Sequence, residues 1–123
     1  LWFRHLGDEA RAVLACGRAG EVLREDCIAG VGLASAFVHP DLLARPLDAG
    51  DRLAPADREE FMRGARAALL VRHQSDAEFL EEGIDRLDEP RRSEARGLLG
   101  RSLDCYRGTI ERDTFYDDLM ACR

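Results

Sequence analysis

Apolar side chains recur at helical spacing from position 61 to position 87, and this pattern constrains the fold more than any other feature. Successive members lie one, three or four residues apart, which keeps them on one helix face for about seven turns. We therefore predict one long helix with this face turned inward and the intervening acids in water. The face is formed by Phe61, Ala65, Ala68, Leu69, His73, Ala77, Leu80, Ile84 and Leu87.

Two local signals bear on where this helix begins and whether it is straight. Pro55 suits a first helical turn, where its backbone nitrogen has no helical hydrogen bond to lose. Ser75 and Glu78 have the S-x-x-E spacing of a capping box, which is typical of a helix start. Because the apolar face continues through this point, we predict a kink near Gln74-Ser75 rather than a break.

The remaining segments also show helical spacing, in shorter pieces. A first helix is predicted from Trp2 to about Cys16, ending at the glycines of the CGRAGE segment. Gly30 and Gly32 are expected to interrupt the next piece, giving two or three short helices before position 39. The same glycines can also allow close helix crossings.

Residues 45–55 are predicted to form the longest loop, because they contain two prolines and a glycine with little periodicity. A last helical region begins at Pro90, and a separate apolar face follows Asp113-Thr114. No segment alternates with period two, so strands are not expected. We predict an all-α, single-domain bundle of five to seven helices over residues 1–123, as a fragment of a longer chain.

Charge argues against several classes of partner. The net charge is −6, and arginines and acids are interleaved almost everywhere, so no basic surface for nucleic acid is indicated. No apolar run is long enough for a membrane span. We expect an intracellular protein, in a bacterial cytoplasm or in a host cell.

Every cation is arginine: the chain contains no lysine and no asparagine. A GC-rich genome explains both absences, since lysine and asparagine share A-rich codons. Selection against ubiquitin-acceptor lysines is the alternative, and it would suit a viral or host-directed protein.

Arg66 and His73, separated by six residues, are the candidate catalytic pair. Their spacing resembles the R-x4-6-H motif of HEPN ribonucleases, which are small helical bundles that cleave RNA, commonly as dimers. The resemblance implies RNA cleavage, with His73 as general acid or base. The position after the arginine, often polar in that family, is Ala67 here. The place of His73 on the apolar face favours a structural role instead.

Metal and redox sites are not indicated. Glu78, Glu82, Asp85 and Glu89 follow one helix face, but a straight helix spreads such carboxylates along its axis. They are expected to form a solvated face, with Glu82–Arg86 and Asp88–Arg92 as ion pairs one turn apart. The four cysteines contain no C-x-x-C pair, so we expect buried free thiols. Pairing of Cys16 with Cys27 through a hairpin, or between the two ends of the chain, stays open. No cofactor is expected.

The sequence therefore predicts a non-catalytic protein–protein interaction or regulatory module that binds another protein or a second copy of itself. The HEPN-like ribonuclease and a helical domain that senses an apolar ligand are the alternatives. Exposed aromatic and apolar residues near the two ends are the predicted anchors, because aromatic residues dominate interface energetics. They are Trp2, Phe3 and Leu6, then Phe115, Tyr116, Leu119 and Met120.

Overall fold

Six α-helices make up most of the described chain, which in this computed structural model comprises residues 8–38, 43–106 and 117. The helices are α1 (Glu9–Cys16), α2 (Glu21–Val38), α3 (Ala44–Asp51), α4 (Pro55–Ser75), α5 (Ala77–Asp85) and α6 (Arg91–Tyr106). These residues include no β-strand, so the predicted all-α bundle of five to seven helices is confirmed. Over the same residues, no helix has both the length and the apolar character needed to cross a membrane.

Helix α4 is the centre of the bundle. Every residue from position 60 to position 70 is buried, so this part of the helix is covered on all sides. Pro55 occupies its first turn, as predicted. The most extensive neighbour of α4 is α2, and α6 packs along another side. The largest fully enclosed apolar side chains are Phe61, Ile28, Leu70, Leu80 and Ile84.

The crossing of α2 and α4 depends on two glycines that allow the helix backbones to touch. A β-carbon at Gly32 would overlap the carbonyl oxygen of Phe61, and one at Gly64 would overlap that of Ala29. The expected interruption at Gly30 and Gly32 is wrong, because α2 runs unbroken through both. Gly32 serves the close approach of two helices, which was the other role predicted for these glycines.

The predicted continuous helix over positions 61–87 is also wrong, because it is divided at Asp76. This residue has extended backbone angles, and its side chain accepts a hydrogen bond from the Phe79 amide, so it caps α5. Ser75, the first residue of the S-x-x-E pattern, instead donates to the Val71 carbonyl within α4. Ala77, at the first position of α5, is exposed rather than turned inward, and His73 is only partly buried.

The loop predicted over residues 45–55 is largely helical. Helix α3 covers its first seven positions, and Pro46 lies within the first turn, where it removes no helical hydrogen bond. Leu47 and Gly50 lie on the buried side of α3, one turn apart. Because these residues pack against the core, the segment is helical, although its prolines and glycine had suggested a loop.

The first two helices form a hairpin closed by a disulfide. Gly20 has a positive φ of 83°, a conformation that glycine adopts readily, and it redirects the chain into α2. Cys16 and Cys27 are bonded, with their α-carbons 5.7 Å apart. Cys105 is disulfide-bonded as well. The expectation of free thiols is therefore wrong, and hairpin pairing of Cys16 with Cys27 is the alternative that the structure shows.

Candidate functional site

The anchors predicted at the two ends of the chain lie outside the described residues. This holds for Trp2, Phe3, Leu6, Phe115, Tyr116, Leu119 and Met120, whose role stays a prediction. The candidate sites among the described residues lie on helices α2, α4 and α6.

Arg66 and His73 are both on α4, seven positions and therefore about 10 Å apart along the helix axis. Arg66 is only 8% exposed and lines a cleft between α4 and α6. His73 is not among the residues that line this cleft. The structure thus places the arginine beside a cleft whose described lining does not include the imidazole.

The acidic face predicted on α5 is exposed. Among the described residues, no cluster of histidine, cysteine or acidic side chains could hold a metal ion. Arg86 lies 4.0 Å from Glu82, the spacing predicted for that pair. Arg92 does not pair with Asp88 as predicted: it donates two hydrogen bonds to the Leu87 carbonyl and lies 4.0 Å from Glu89.

An apolar pocket beside α3 bears on the ligand-sensor alternative. It lies between α2, α3, α4 and α6, and its volume is about 10 Å³. A single water molecule needs roughly that space. This pocket is therefore too small for an apolar ligand.

A cleft of about 310 Å³ lies along α4 and α6, and we call it the arginine cleft. Its volume is at the lower end of the range found for small-molecule sites, roughly 300–1,000 Å³. Four arginines lie along it, although the protein as a whole is acidic. The lining residues are Pro55, Arg58, Glu59, Glu60, Met62, Arg63, Arg66, Leu98 and Arg101.

Two of the four arginines in the cleft are neutralised by neighbouring carboxylates. Arg63 donates to Glu60 at 2.7 Å and to Asp26 of α2 at 3.1 Å. Glu60 and Arg63 are only 6% and 7% exposed, so this pair is held away from water. Arg58 forms ion pairs with Asp51 of α3 and Glu94 of α6. These two cations therefore tie the helices together.

The other two arginines, Arg66 and Arg101, are close enough for their charges to affect each other. The pKa of Arg66 is lowered because its guanidinium is buried and lies beside the charges of Arg101 and Arg63. Arg101 forms no hydrogen bond or ion pair with any described residue.

Little in the amino-acid sequence indicates the arginine cleft. Arg63 and Arg66 are three residues apart and so share a helix face, which is the one local signal. Arg101 is 35 positions after Arg66 in the chain. It lies near Arg63 and Arg66 only because α6 packs on α4. The densest basic spot in the sequence, Arg91-Arg92, lies outside the cleft lining.

A second surface lies at the start of α2, and we call residues 21–26 the α2 tip. Val22 and Leu23 are 89% and 59% exposed, well above the exposure usual for large apolar side chains. Glu21, Glu25 and Asp26, in the same turn and a half, are exposed as well. The α2 tip therefore presents an apolar pair with an acidic rim.

Comparison with known proteins adds no relative to this picture. No protein-family model, curated protein or solved structure matches the chain. The function is accordingly argued from the chemistry of the described residues alone.

Proposed function

We propose that the protein is a non-catalytic interaction module that binds another protein through the α2 tip. The observation that carries this proposal is the exposure of Val22 and Leu23, two adjacent large apolar side chains, at the start of a helix. Covering them on a partner removes apolar surface from water, at roughly 25 cal/mol per Å².

Rigidity of the α2 tip supports a binding role, because a preorganised surface loses little conformational entropy on association. The Cys16–Cys27 disulfide fixes α2 to the end of α1. Arg24 pairs with Asp57, and Asp26 pairs with Arg63, both across to α4. The apolar pair is thus displayed from a turn that is held by three links.

The charge around the α2 tip indicates what kind of partner surface would complement it. Glu21 is exposed beside the apolar pair, Asp26 stays 72% exposed although it pairs with Arg63, and the whole chain is acidic. A surface with an apolar pocket and a rim of lysine or arginine complements the α2 tip, whereas a second copy of this chain would bring like charges together. We therefore propose a heterologous, basic-rimmed protein partner.

Photo-crosslinking in the source cells tests this proposal. A benzophenone amino acid at position 22 is expected to give one dominant adduct, and the partner peptide in it should contain apolar residues flanked by lysine or arginine. The same probe at Gln74, an exposed position at the far end of α4, is the matched control and should not give that adduct.

A second arm uses the captured partner in purified form. Leu23→Ser is expected to weaken binding about tenfold, because an anchor of this kind contributes more than about 1 kcal/mol. Phe79→Ser, at a partly exposed apolar position on α5, should leave affinity unchanged. Identical adducts from positions 22 and 74, or an adduct with a second copy of this chain, would overturn the proposal.

A further inference from the structure

We propose that the far end of α2 carries a second interaction surface, which binds a short acidic segment of another protein. The surface is formed by Phe37, Val38 and Arg72, and we call it the Arg72 face. Val38 and Val22 are at opposite ends of α2, about 24 Å apart along the helix axis. The Arg72 face is therefore separate from the α2 tip, and its role does not depend on the function proposed for that tip.

The parallel packing of α2 and α4 brings the three residues together. Near the start of both helices Arg24 pairs with Asp57, and near their ends Arg72 donates to the Phe37 carbonyl at 2.7 Å. These contacts join residues 33 and 35 positions apart, so the two helices run in the same direction. The Arg72 face consequently forms where α2 and α4 end side by side.

Two contacts with Phe37 hold the guanidinium of Arg72. The Phe37 carbonyl accepts the hydrogen bond, and the central guanidinium carbon lies 4.1 Å from the centroid of the Phe37 ring. A side chain that is already held in one position loses little entropy when it binds a further group. The cation is therefore preorganised for a ligand.

The positive charge of Arg72 has no carboxylate partner among the described residues. By contrast, Arg24 bridges the same two helices by an ion pair with Asp57. Asp76, one turn beyond Arg72, uses its carboxylate to cap α5. The Nε of Arg72 is buried and has no hydrogen-bond partner within the described part of the chain. The described residues thus leave the charge of this guanidinium unbalanced.

The apolar part of the Arg72 face indicates what kind of molecule carries the matching anion. Phe37 and Val38 are adjacent and are 38% and 39% exposed. Covering them removes apolar surface from water, and arginine and aromatic residues contribute most often to binding energy at protein interfaces. The ligand therefore combines a negative charge with apolar side chains beside it.

A carboxylate suits Arg72 better than a phosphate group does. A guanidinium forms two parallel hydrogen bonds with a carboxylate. Asp76 and Glu78 are exposed just beyond the Arg72 face, and the chain has a net charge of −6, so a dianion or a nucleic-acid backbone meets stronger repulsion. The occupant is accordingly a peptide segment in which one aspartate or glutamate lies next to aliphatic residues.

Titration of the intact chain with short blocked peptides tests the Arg72 face. The first peptide has one glutamate between two leucines, and the second has glutamine in place of the glutamate. The glutamate peptide should shift the methyl resonances of Val38 and the side-chain N–H resonances of Arg72, and bind at least about fivefold more tightly than the glutamine peptide. Equal affinity of the two peptides would refute the role of the charge.

A third peptide, with phosphoserine in place of the glutamate, distinguishes the two anions. It should bind more weakly than the glutamate peptide, because the acids near the Arg72 face repel its second charge. Tighter binding of the phosphoserine peptide would overturn the carboxylate assignment.

Variants on and away from the Arg72 face complete the test. Arg72→Gln is expected to weaken binding of the glutamate peptide about tenfold, and Arg72→Lys should fall between that variant and the wild type. Val38→Ser, at an exposed position, should weaken binding about threefold and keeps the test decisive if the Arg72 variants do not fold. Arg52→Gln, with the same charge change at an exposed position ahead of α4, is the control. Equal affinity for Arg52→Gln and Val38→Ser would refute the proposal.

A second copy of this chain is the competing occupant, because the α2 tip also combines apolar side chains with acids. Net repulsion between two acidic chains opposes this head-to-tail contact. Sedimentation of the chain alone should therefore show no increase in mass with concentration. An increase that Val22→Ser combined with Leu23→Ser abolishes would overturn the proposal in favour of self-assembly. The same double variant should bind the glutamate peptide as the wild type does, so the results for the two surfaces are independent.

Discussion

Arg24 of α2 and Asp57 of α4 form a two-point ion pair, with nitrogen–oxygen distances of 2.5 and 2.9 Å. The pair bridges the two helices and joins residues that are 33 positions apart in the chain. The hydrogen bonds from Arg24 hold the pKa of the Asp57 carboxyl below its usual range, against the opposing effect of burial. The link is therefore sensitive to acid.

We predict that Asp57 contributes to the acid sensitivity of the fold. A carboxyl whose pKa is lower in the folded than in the unfolded state stabilises the protein above the unfolded value of about 3.9. This contribution is lost as the pH falls through the lowered folded pKa. The free energy of unfolding should therefore fall less steeply for Asp57→Asn than for the wild type between about pH 5 and pH 2.

Urea unfolding followed by far-ultraviolet circular dichroism across this pH range measures the effect. Asp88→Asn removes the same charge at an exposed position that has no side-chain ion pair with a described residue, so it is the matched control. Equal pH dependence for Asp57→Asn and the wild type would show that the ion pair is not formed in solution.

Replacing glycine by alanine is predicted to have opposite effects on stability at Gly32, where α2 touches α4, and at Gly97 on α6. Gly32→Ala should destabilise the protein by about 1–3 kcal/mol or more, because the new methyl group overlaps the Phe61 carbonyl. Gly97→Ala, on an open face of α6, should stabilise it by about 0.5–1 kcal/mol through helix propensity. Denaturant midpoints compare the two, and stabilisation by Gly32→Ala would contradict the close crossing.

The hairpin disulfide is predicted to make a clear contribution to stability. Its cysteines are 11 positions apart, and closing a loop of this length in the unfolded chain is worth about 3 kcal/mol. Cys16→Ala combined with Cys27→Ala should lower the free energy of unfolding by about that amount. The double variant is preferable to chemical reduction, which would also break the disulfide of Cys105.

Peptide mapping without reductant checks the bond itself. The expected product is a fragment pair joined through Cys16 and Cys27, and separate fragments with free thiols would contradict the structure. Disulfides persist in oxidising compartments. A crosslinked protein isolated from its source would therefore favour such a compartment over the intracellular location that we expected from the sequence.

The capping of α5 by Asp76 predicts that substitutions at two neighbouring residues lower the free energy of unfolding by different amounts. Asp76→Ala removes the side chain that accepts from the Phe79 amide, so it should cost about 1 kcal/mol. Ser75→Ala loses only a hydrogen bond to the Val71 carbonyl inside α4 and should change stability by less than about 0.5 kcal/mol. Thermal unfolding compares the stability of the two variants. A larger loss of stability for Ser75→Ala would indicate that Ser75, and not Asp76, caps α5.

Helical periodicity was sufficient to predict the all-α fold class and a range of five to seven helices, and Pro55 itself indicated the start of α4. It did not reveal the break at Asp76, because His73 and Ala77 continue the helical spacing in the sequence although neither is buried in the structure. Ser75 and Asp76 are both good capping residues, and only the extended backbone of Asp76 decides between them. The sequence pattern contains no information on that choice.

Features that depend on two distant segments were the hardest to predict. The role of Gly32 requires knowledge that Phe61 lies opposite, and the arginine cleft requires Arg101 to meet Arg66 across two helices. The exposure of Val22 and Leu23 likewise depends on distant segments, because the helices that pack on α2 leave its first turn uncovered.

The helix crossing at Gly32 and Gly64 also indicates how distant relatives of this chain could be recognised. Leucine, isoleucine, valine and phenylalanine can replace one another in the core without moving the helices far. No residue with a side chain fits at either glycine unless the two backbones separate. A pair of glycines about thirty residues apart, each within an otherwise helical pattern, is therefore a more durable signature of shared ancestry than the identity of any apolar position.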